Sequence, residues 1–294
     1  MRSDSRSTRP LTRGQVLLEV GVVVALSLGE SGVYAVVRLL DLVSRGPLAD
    51  AQANLNVSAN ERPWFDLTYQ LLGIGFALVP VALALLLLSR DRLLSGGAGL
   101  PPVLTRLGVA GGRTAGRDLG RGVLLFLVIG AGTLAVYAAG RGMGLTAQIS
   151  TDNLGERWWT VPVLVLAAAK NGLLEEVLLM GYLRIRLAAA GWSPWTVIVS
   201  LAVLRGSYHL YQGVGPFAGN VAMGLIFGWC ALRWERARAG GMQGSGMQQG
   251  SGMQQGSGVH GPGSAVMPFV WAHIIIDVVG FTAPGILHLV DPTG

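Results

Sequence analysis

Residues 160–190 read TVPVLVLAAAKNGLLEEVLLMGYLRIRLAAA. The stretch is longer than the roughly 20 apolar residues that a helix needs to cross a bilayer, yet Lys170, Glu175 and Glu176 stand in its middle. A charged group at the bilayer centre costs about 2.5–3.5 kcal/mol on insertion scales. A span that keeps such groups needs partners on neighbouring spans, so the stretch predicts an all-α, polytopic transmembrane bundle with a polar centre.

The rest of the chain agrees. Of 294 residues, 51% are hydrophobic and only 13% charged, against about 25% charged in an average soluble protein. About seven segments read as spans by length and hydropathy: Gln15 to Val43, Phe65 to Leu88, Val123 to Ala139, Thr160 to Ala190, Trp195 to Tyr211, Phe217 to Leu232 and Ala265 to Phe281. The apolar tail Ile286 to Val290 would make an eighth, but it is too short to cross alone and is expected to extend the last helix beyond Pro284. The first segment is too long for a signal peptide, contains Glu19 and Glu30, and lacks a clear small-residue cleavage site, so it reads as a retained helix. Cys230 is the sole cysteine, which excludes an internal disulfide.

The net charge of +6 is almost entirely arginine, with Lys170 the single lysine. With the N-terminus inside, and Arg184 and Arg186 counted with the inner loop at the end of the fourth span, 15 basic residues fall on the inner side, four outside and three (Arg38, Lys170, Arg205) deeper within spans, which accounts for all 22. That bias is the positive-inside pattern of a membrane protein, so the partner expected for the basic charge is the lipid bilayer and not nucleic acid. Trp64, Trp158, Trp159, Trp192, Trp195 and Trp234 fall near span ends, where interfacial indoles belong. The chain divides into a cytoplasmic tail (1–14), N-terminal helices (15–139) with a cytoplasmic loop near 90–121 lying on anionic lipid, and a core (160–290) interrupted by a linker. The linker, 240–263, carries GMQGSG-MQQGSG-MQQGSG, has no charge and no core-forming residue, and is expected to be disordered. Glycines such as Gly213, Gly219, Gly224 and Gly228 read as sites of close helix packing.

Helical spacing sorts the polar residues inside the spans. Residues four apart share a face, which pairs Arg205 with His209, His273 with Asp277 and Asn171 with Glu175. Glu175 and Glu176 lie about 100° apart and are expected to have different partners. Asn220 adds a polar group on the sixth span. A carboxylate beside a neutral histidine can hold and deprotonate a water, and a second histidine with a polar neighbour can bind a developing oxyanion. That is equipment for peptide hydrolysis without a covalent intermediate. A zinc set of glutamate, two histidines and aspartate is the alternative, although no His-Glu-x-x-His helix is present. A scaffold or a proton-coupled carrier would use the same cluster without hydrolysis.

Three motifs follow in order: Glu175-Glu176-x-x-x-Met180 with Gly181-Tyr182-Leu183; His209-Leu-Tyr-Gln-Gly213 followed by Phe217 and the run ending at Gly228; and His273-x-x-x-Asp277. Their order and spacing resemble the CAAX-protease and bacteriocin-processing (CPBP, Abi) family of intramembrane glutamate endopeptidases, over roughly Thr160 to Phe281. The resemblance implies that Glu175 activates the water, His209 helps to hold it, His273 and Asp277 stabilise the oxyanion, and Glu176 supports. It implies no cofactor and a membrane-anchored peptide or protein as substrate. The family's first motif usually ends in arginine where this chain has Met180, and its second usually begins with phenylalanine where this chain has Arg205. Arg205 is therefore expected to supply the missing charge beside Glu176 or Glu175. The arginine-, alanine- and glycine-rich composition points to a bacterium, hence to a plasma membrane with the N-terminus cytoplasmic. One tension stands in this topology: His209 falls near the outer end of its span and Glu175 nearer the inner half of its own, yet a shared site requires them to meet.

Overall fold

The computed structural model describes residues 11–91, 99–109, 114–150, 154–155, 157–245 and 265–290, with side chains described to 237 and to 282 in the last two stretches. The protein is almost entirely helical, in the order α1 (Arg13–Ala25), α2 (Leu28–Arg45), β1 (Gln52–Asn54), α3 (Pro63–Ala77), α4 (Val79–Arg90), α5 (Leu100–Leu107), α6 (Ala115–Gly142), β2 (Gln148–Ser150), α7 (Thr160–Glu176), α8 (Arg184–Ala189), α9 (Pro194–Ser207), α10 (Val214–Ser245) and α11 (Met267–Val290).

Among the described residues, three helical stretches are long and apolar enough to cross a membrane: Pro63–Arg90, Ala115–Gly142 and Val214–Ala237. A fourth is obtained if α1 and α2, bent by 52° to one another, form one broken span. The bend has a local cause. The Ser27 hydroxyl donates to the Val23 carbonyl at 2.6 Å, and a Cβ on Gly29 would sit 2.8 Å from the Val24 carbonyl oxygen, so the serine–glycine pair opens the helix ladder. The expected span Phe65 to Leu88 is likewise interrupted at Leu78, because Pro80 lacks an N–H and crowds the preceding turn.

The expected span Thr160 to Ala190 forms one column. α7 passes into a π-helical segment, Val177–Leu183, and then into α8 with helical backbone angles at both junctions. Every residue from Glu175 to Leu187 is buried, the charged Glu175, Glu176, Arg184 and Arg186 included. Two residues read from the sequence as inner-loop charges lie inside this core. Arg184 pairs with Glu235 at 2.7 Å, and Arg186 pairs with Glu19 at 2.8 Å and Asp91 at 3.0 Å. The loop near 90–121 is also drawn in: it contains α5, whose Val103 and Leu107 are 1% and 0% exposed. Trp159, expected at an interface, is buried against Leu154, Val163 and Leu164.

α9 is shorter than the expected Trp195 to Tyr211. It ends at Ser207 and the chain turns through Leu210–Gln212 into α10. At 14 residues it rises only about 21 Å. It starts from the hairpin after α8, so it stops level with Glu175 and Glu176, and the tension between His209 and Glu175 disappears. α10 runs beyond the expected Leu232 and takes in 240–245, the start of the expected disordered linker; residues 246–264 lie outside the described residues. α11 continues through Pro284 to Val290, as expected.

α9 and α10 approach closely on small residues. A Cβ on Gly224 would lie 2.7 Å from Ala202 Cα, one on Gly228 2.6 Å from Ile198, and one on Gly206 2.6 Å from Val221. Gly219 meets only ordinary contact with Val136. Gly213 serves the turn instead, with φ +111° and the Leu145 carbonyl oxygen 2.7 Å from where a Cβ would be. Gly224→Leu is expected to lower stability in detergent by about 1–3 kcal/mol through overpacking, and Gly219→Ala to change it by less than about 0.5 kcal/mol. Thermal unfolding of the two variants measures the difference.

Candidate active site

Four elements meet at the polar centre: α7 with Asn171, Glu175 and Glu176; the end of α9 and its turn with Arg205, Tyr208 and His209; α11 with His273 and Asp277; and α10, which carries Asn220, Met223 and Phe227. The six candidates Glu175, Glu176, Arg205, His209, His273 and Asp277 are thus brought together from segments far apart in the chain.

Arg205 is the hub. It is 1% exposed. One guanidinium nitrogen donates to both oxygens of Glu176, at 2.7 and 2.8 Å. Another lies 3.4 Å from Glu175 Oε2 and 3.9 Å from the Met223 sulfur. The guanidinium also sits 5.4 Å from the Phe227 ring centroid. Its main chain is used as well: the Arg205 carbonyl accepts from His209 Nδ1 at 3.1 Å. A carbonyl can only accept, so Nδ1 bears the hydrogen and Nε2 of a neutral His209 carries the lone pair.

The two glutamates have different surroundings, as their spacing predicts. Glu176 is fully buried, and His273 Nδ1 lies 2.7 Å from its Oε1. Glu175 accepts from the Tyr208 hydroxyl at 2.6 Å through Oε2, and its Oε1 has no protein hydrogen bond among the described residues. Met180, where the family that the motifs resemble usually has arginine, is buried at 3% exposure; the cation beside Glu176 is Arg205 of α9.

Asp277 shares the face of His273, as the spacing predicts, but bonds a third residue. Its Oδ2 stands 3.8 Å from His273 Nε2, beyond hydrogen-bond range, and instead accepts from Asn171 Nδ2 at 2.8 Å. The Asn171 carbonyl oxygen accepts from Lys170 Nζ. Asn220 donates to the Pro216 carbonyl in its own helix at 3.0 Å and lines the cavity without bonding another candidate among the described residues. Tyr208 is the contact that motif reading passed over, and Asn171, placed by spacing on the face of Glu175, bonds Asp277 instead. Neither is charged, and their partners lie 33 and 106 residues away.

Two cavities meet at the site. One, of about 400 Å³, is lined by Asn171, Glu175, His209, His273 and Asp277 and reaches out to Asn54–Asn56 and Ile149. The other, of about 470 Å³, is walled by Glu30, Tyr34 and Arg38 of α2 and shares Asn171, Glu175, His209 and Tyr211. Glu175 and His209 therefore face common space, roomy enough for water and a peptide segment.

Ligand-type atoms of Glu175, Glu176 and His273 lie within 4.8 Å of one another. The zinc set read from the sequence fits this trio poorly: both oxygens of Glu176 already bind Arg205, and a divalent ion there would face the guanidinium at close range.

Removing one partner of a buried ion pair costs about 3–5 kcal/mol, so Arg205→Phe is expected to lose about that much stability. Adding Met180→Arg, which restores the family's arrangement one helical turn from Glu176, is expected to recover most of it. Denaturant unfolding of the single and double variants is the check, and equal losses in both would show that Met180 and Arg205 are not exchangeable.

No curated protein and no solved structure matches the chain. Residues 157–240, which hold the first two motifs, match the model of the family described as Type II CAAX prenyl endopeptidase Rce1-like. Over that segment, from just before α7 to within α10, the chain is similar to the family that its motifs resemble.

Proposed function

We propose that the protein is an intramembrane endopeptidase that hydrolyses a peptide bond in a membrane-associated protein or peptide. The observation that carries this reading is the common cavity of Glu175 and His209, in which Glu175 Oε1 and the His209 Nε2 lone pair are both left without protein partners among the described residues. A water bonded to both is aligned for deprotonation.

The steps balance on residues present. Glu175 takes a proton from the water, and the hydroxide adds to the scissile carbonyl carbon. The oxyanion is met by His273 Nε2–H. Nδ1 of that ring faces the Glu176 carboxylate, so His273 can donate to an oxyanion only as imidazolium. That form also balances the site, where three carboxylates (Glu175, Glu176, Asp277) face Arg205 and Lys170. An Asp277 carboxylate cannot donate to an oxyanion itself; it holds the Asn171 amide, whose second N–H is a further donor. Collapse breaks the C–N bond as Glu175 returns its proton to the leaving nitrogen. Glu176 and Arg205 position this set, and Asn220 shapes the cavity wall. The chemistry needs no metal.

The helices between the long spans, α7 to α9 and α11, are embedded with them in this reading. That restores about seven crossings, with the N-terminus on the cytoplasmic side of a bacterial plasma membrane, as the arginine distribution favours.

Glu175→Gln and His209→Ala are each expected to lower turnover by about 10²- to 10⁴-fold without loss of fold. Cut-site-resolved comparison of membrane proteomes from cells carrying wild type or Glu175→Ala tests the activity; identical cleavage products would leave a non-catalytic role. Activity that survives a strong zinc chelator supports the metal-free route, and loss that added zinc restores would replace it.

A further inference from the structure

Beside the site lies a two-stranded parallel sheet in which Gln52, Ala53 and Asn54 of β1 pair with Gln148, Ile149 and Ser150 of β2. The flanking bonds fix its parity. The Ala51 carbonyl accepts from Gln148 N at 2.8 Å, and Leu55 N donates to the Ser150 carbonyl at 2.8 Å. Residues 51, 53 and 55 therefore face β2, and the N–H and C=O of Gln52 and Asn54 point off the other edge. No third strand covers that edge among the described residues. The chain leaving it, Asn54, Leu55 and Asn56, lines the same cavity as Glu175 and His209.

We propose that this edge is the substrate's docking strand: an extended segment adds alongside Gln52–Asn54 and is led by it into the cavity, where its scissile bond reaches Glu175. The inference rests on the peptidase reading and deepens it by naming how the substrate is held.

Three observations converge. A peptide bond cannot be attacked while wrapped in a helix, and a segment unwound in or near a bilayer loses the partners of its backbone N–H and C=O groups. A strand edge at the cavity supplies those partners in alternation, whatever the side chains. The edge is also rigid. Arg141 donates to the carbonyls of Ala49 and Thr146 at 2.7 and 2.9 Å, tying the start of β1 to the approach to β2. Beyond β1, Asp66 accepts from Ala59 N at 2.8 Å, and Gln70 donates to the Val57 carbonyl at 3.0 Å. Finally, Asn56 takes a left-handed backbone, φ 49°. Its amide nitrogen is buried with no hydrogen-bond partner, and the residue itself lines the cavity. A buried donor left unmade is costly, and a substrate carbonyl would satisfy it.

The test uses the full-length protein in lipid nanodiscs and a synthetic peptide spanning a site that wild type cuts in membranes and Glu175→Ala does not. Asn54→Pro removes an N–H from the free edge and leaves the β2 ladder intact; Asn56→Gly keeps the backbone angle and deletes the amide. Each is expected to raise KM about five- to tenfold, the scale of one or two lost hydrogen bonds, with kcat held within about twofold. Replacing single peptide N–H groups of the substrate by ester oxygens should weaken wild-type cleavage at alternate positions only. An unchanged KM in both variants, or a fall in kcat alone, overturns the docking strand. Should Asn54→Pro not fold, the ester series on wild type decides: loss at every position, or at none, overturns it. A wild-type protein that cuts no peptide removes the peptidase reading instead, an outcome distinct from normal cutting that ignores the edge.

Discussion

One guanidinium holds the polar centre of this bundle together. Two adjacent carboxylates on a buried helix repel one another, and burial takes all direct exposure from Glu176 and most of it from Glu175. Arg205 answers both, donating twice to Glu176 and approaching Glu175 at 3.4 Å. Through its main-chain carbonyl it also orients His209. The same residue thus sets the charge balance of the carboxylates and the tautomer of the imidazole that shares their cavity. Phe227 and the Met223 sulfur close the remaining sides of the guanidinium, so its position is determined by packing as well as by charge. A lysine, with a single point of charge, could not grip both Glu176 oxygens and reach Glu175 at once.

That arrangement depends on α9 being short and lying tight against its neighbour. Gly224 and Gly228 let α10 approach Ala202 and Ile198 of α9 more closely than any side chain would allow. This brings Phe227 and Met223 to Arg205. Because α9 ends at Ser207, the turn that follows presents Tyr208 and His209 level with Glu175 instead of carrying them past it. The π-helical segment begins directly after Glu176, at the kind of position where wide turns accompany functional sites. Small residues and a truncated helix do here what a longer helix could not: they place main-chain groups at the depth of the charged side chains.

Much of this was legible in the sequence because charge is conspicuous in apolar runs. Glu175, Glu176, Arg205, His209, His273 and Asp277 stand out for that reason, and i,i+4 spacing explains why Arg205 and His209 share a face. The same signal misled at Arg184 and Arg186. Arginines near a span end read as inner-loop charges, but here they are buried against Glu235, Glu19 and Asp91; the pairing carboxylates are distant in sequence and announce nothing locally. Spacing was incomplete at Asp277, since four residues set a common face with His273 and leave the hydrogen bond open. Asn171, on another helix, is closer to its carboxylate than His273 is. Tyr208 was invisible as a site residue because a tyrosine at a helix end is ordinary. The strand edge was invisible because β1 and β2 are three residues each and pair across almost a hundred residues.

The unequal exposure of the two glutamates finally separates their parts. Glu176 has no exposed surface, and its oxygens are engaged by Arg205 and His273. Few acceptor sites are left to it, and it has no path to a water in the cavity. Glu175 opens on both cavities, spends one oxygen on Tyr208 and keeps the other free. If a carboxylate in this cluster takes a proton from water, saturation alone selects Glu175. The buried partner then has a different use: it fixes Arg205 and His273 so that neither must reorganise when charge develops on the substrate, which is how preorganised electrostatics lower a barrier. In the proposed reaction the pair is one base and one anchor, joined through the arginine between them.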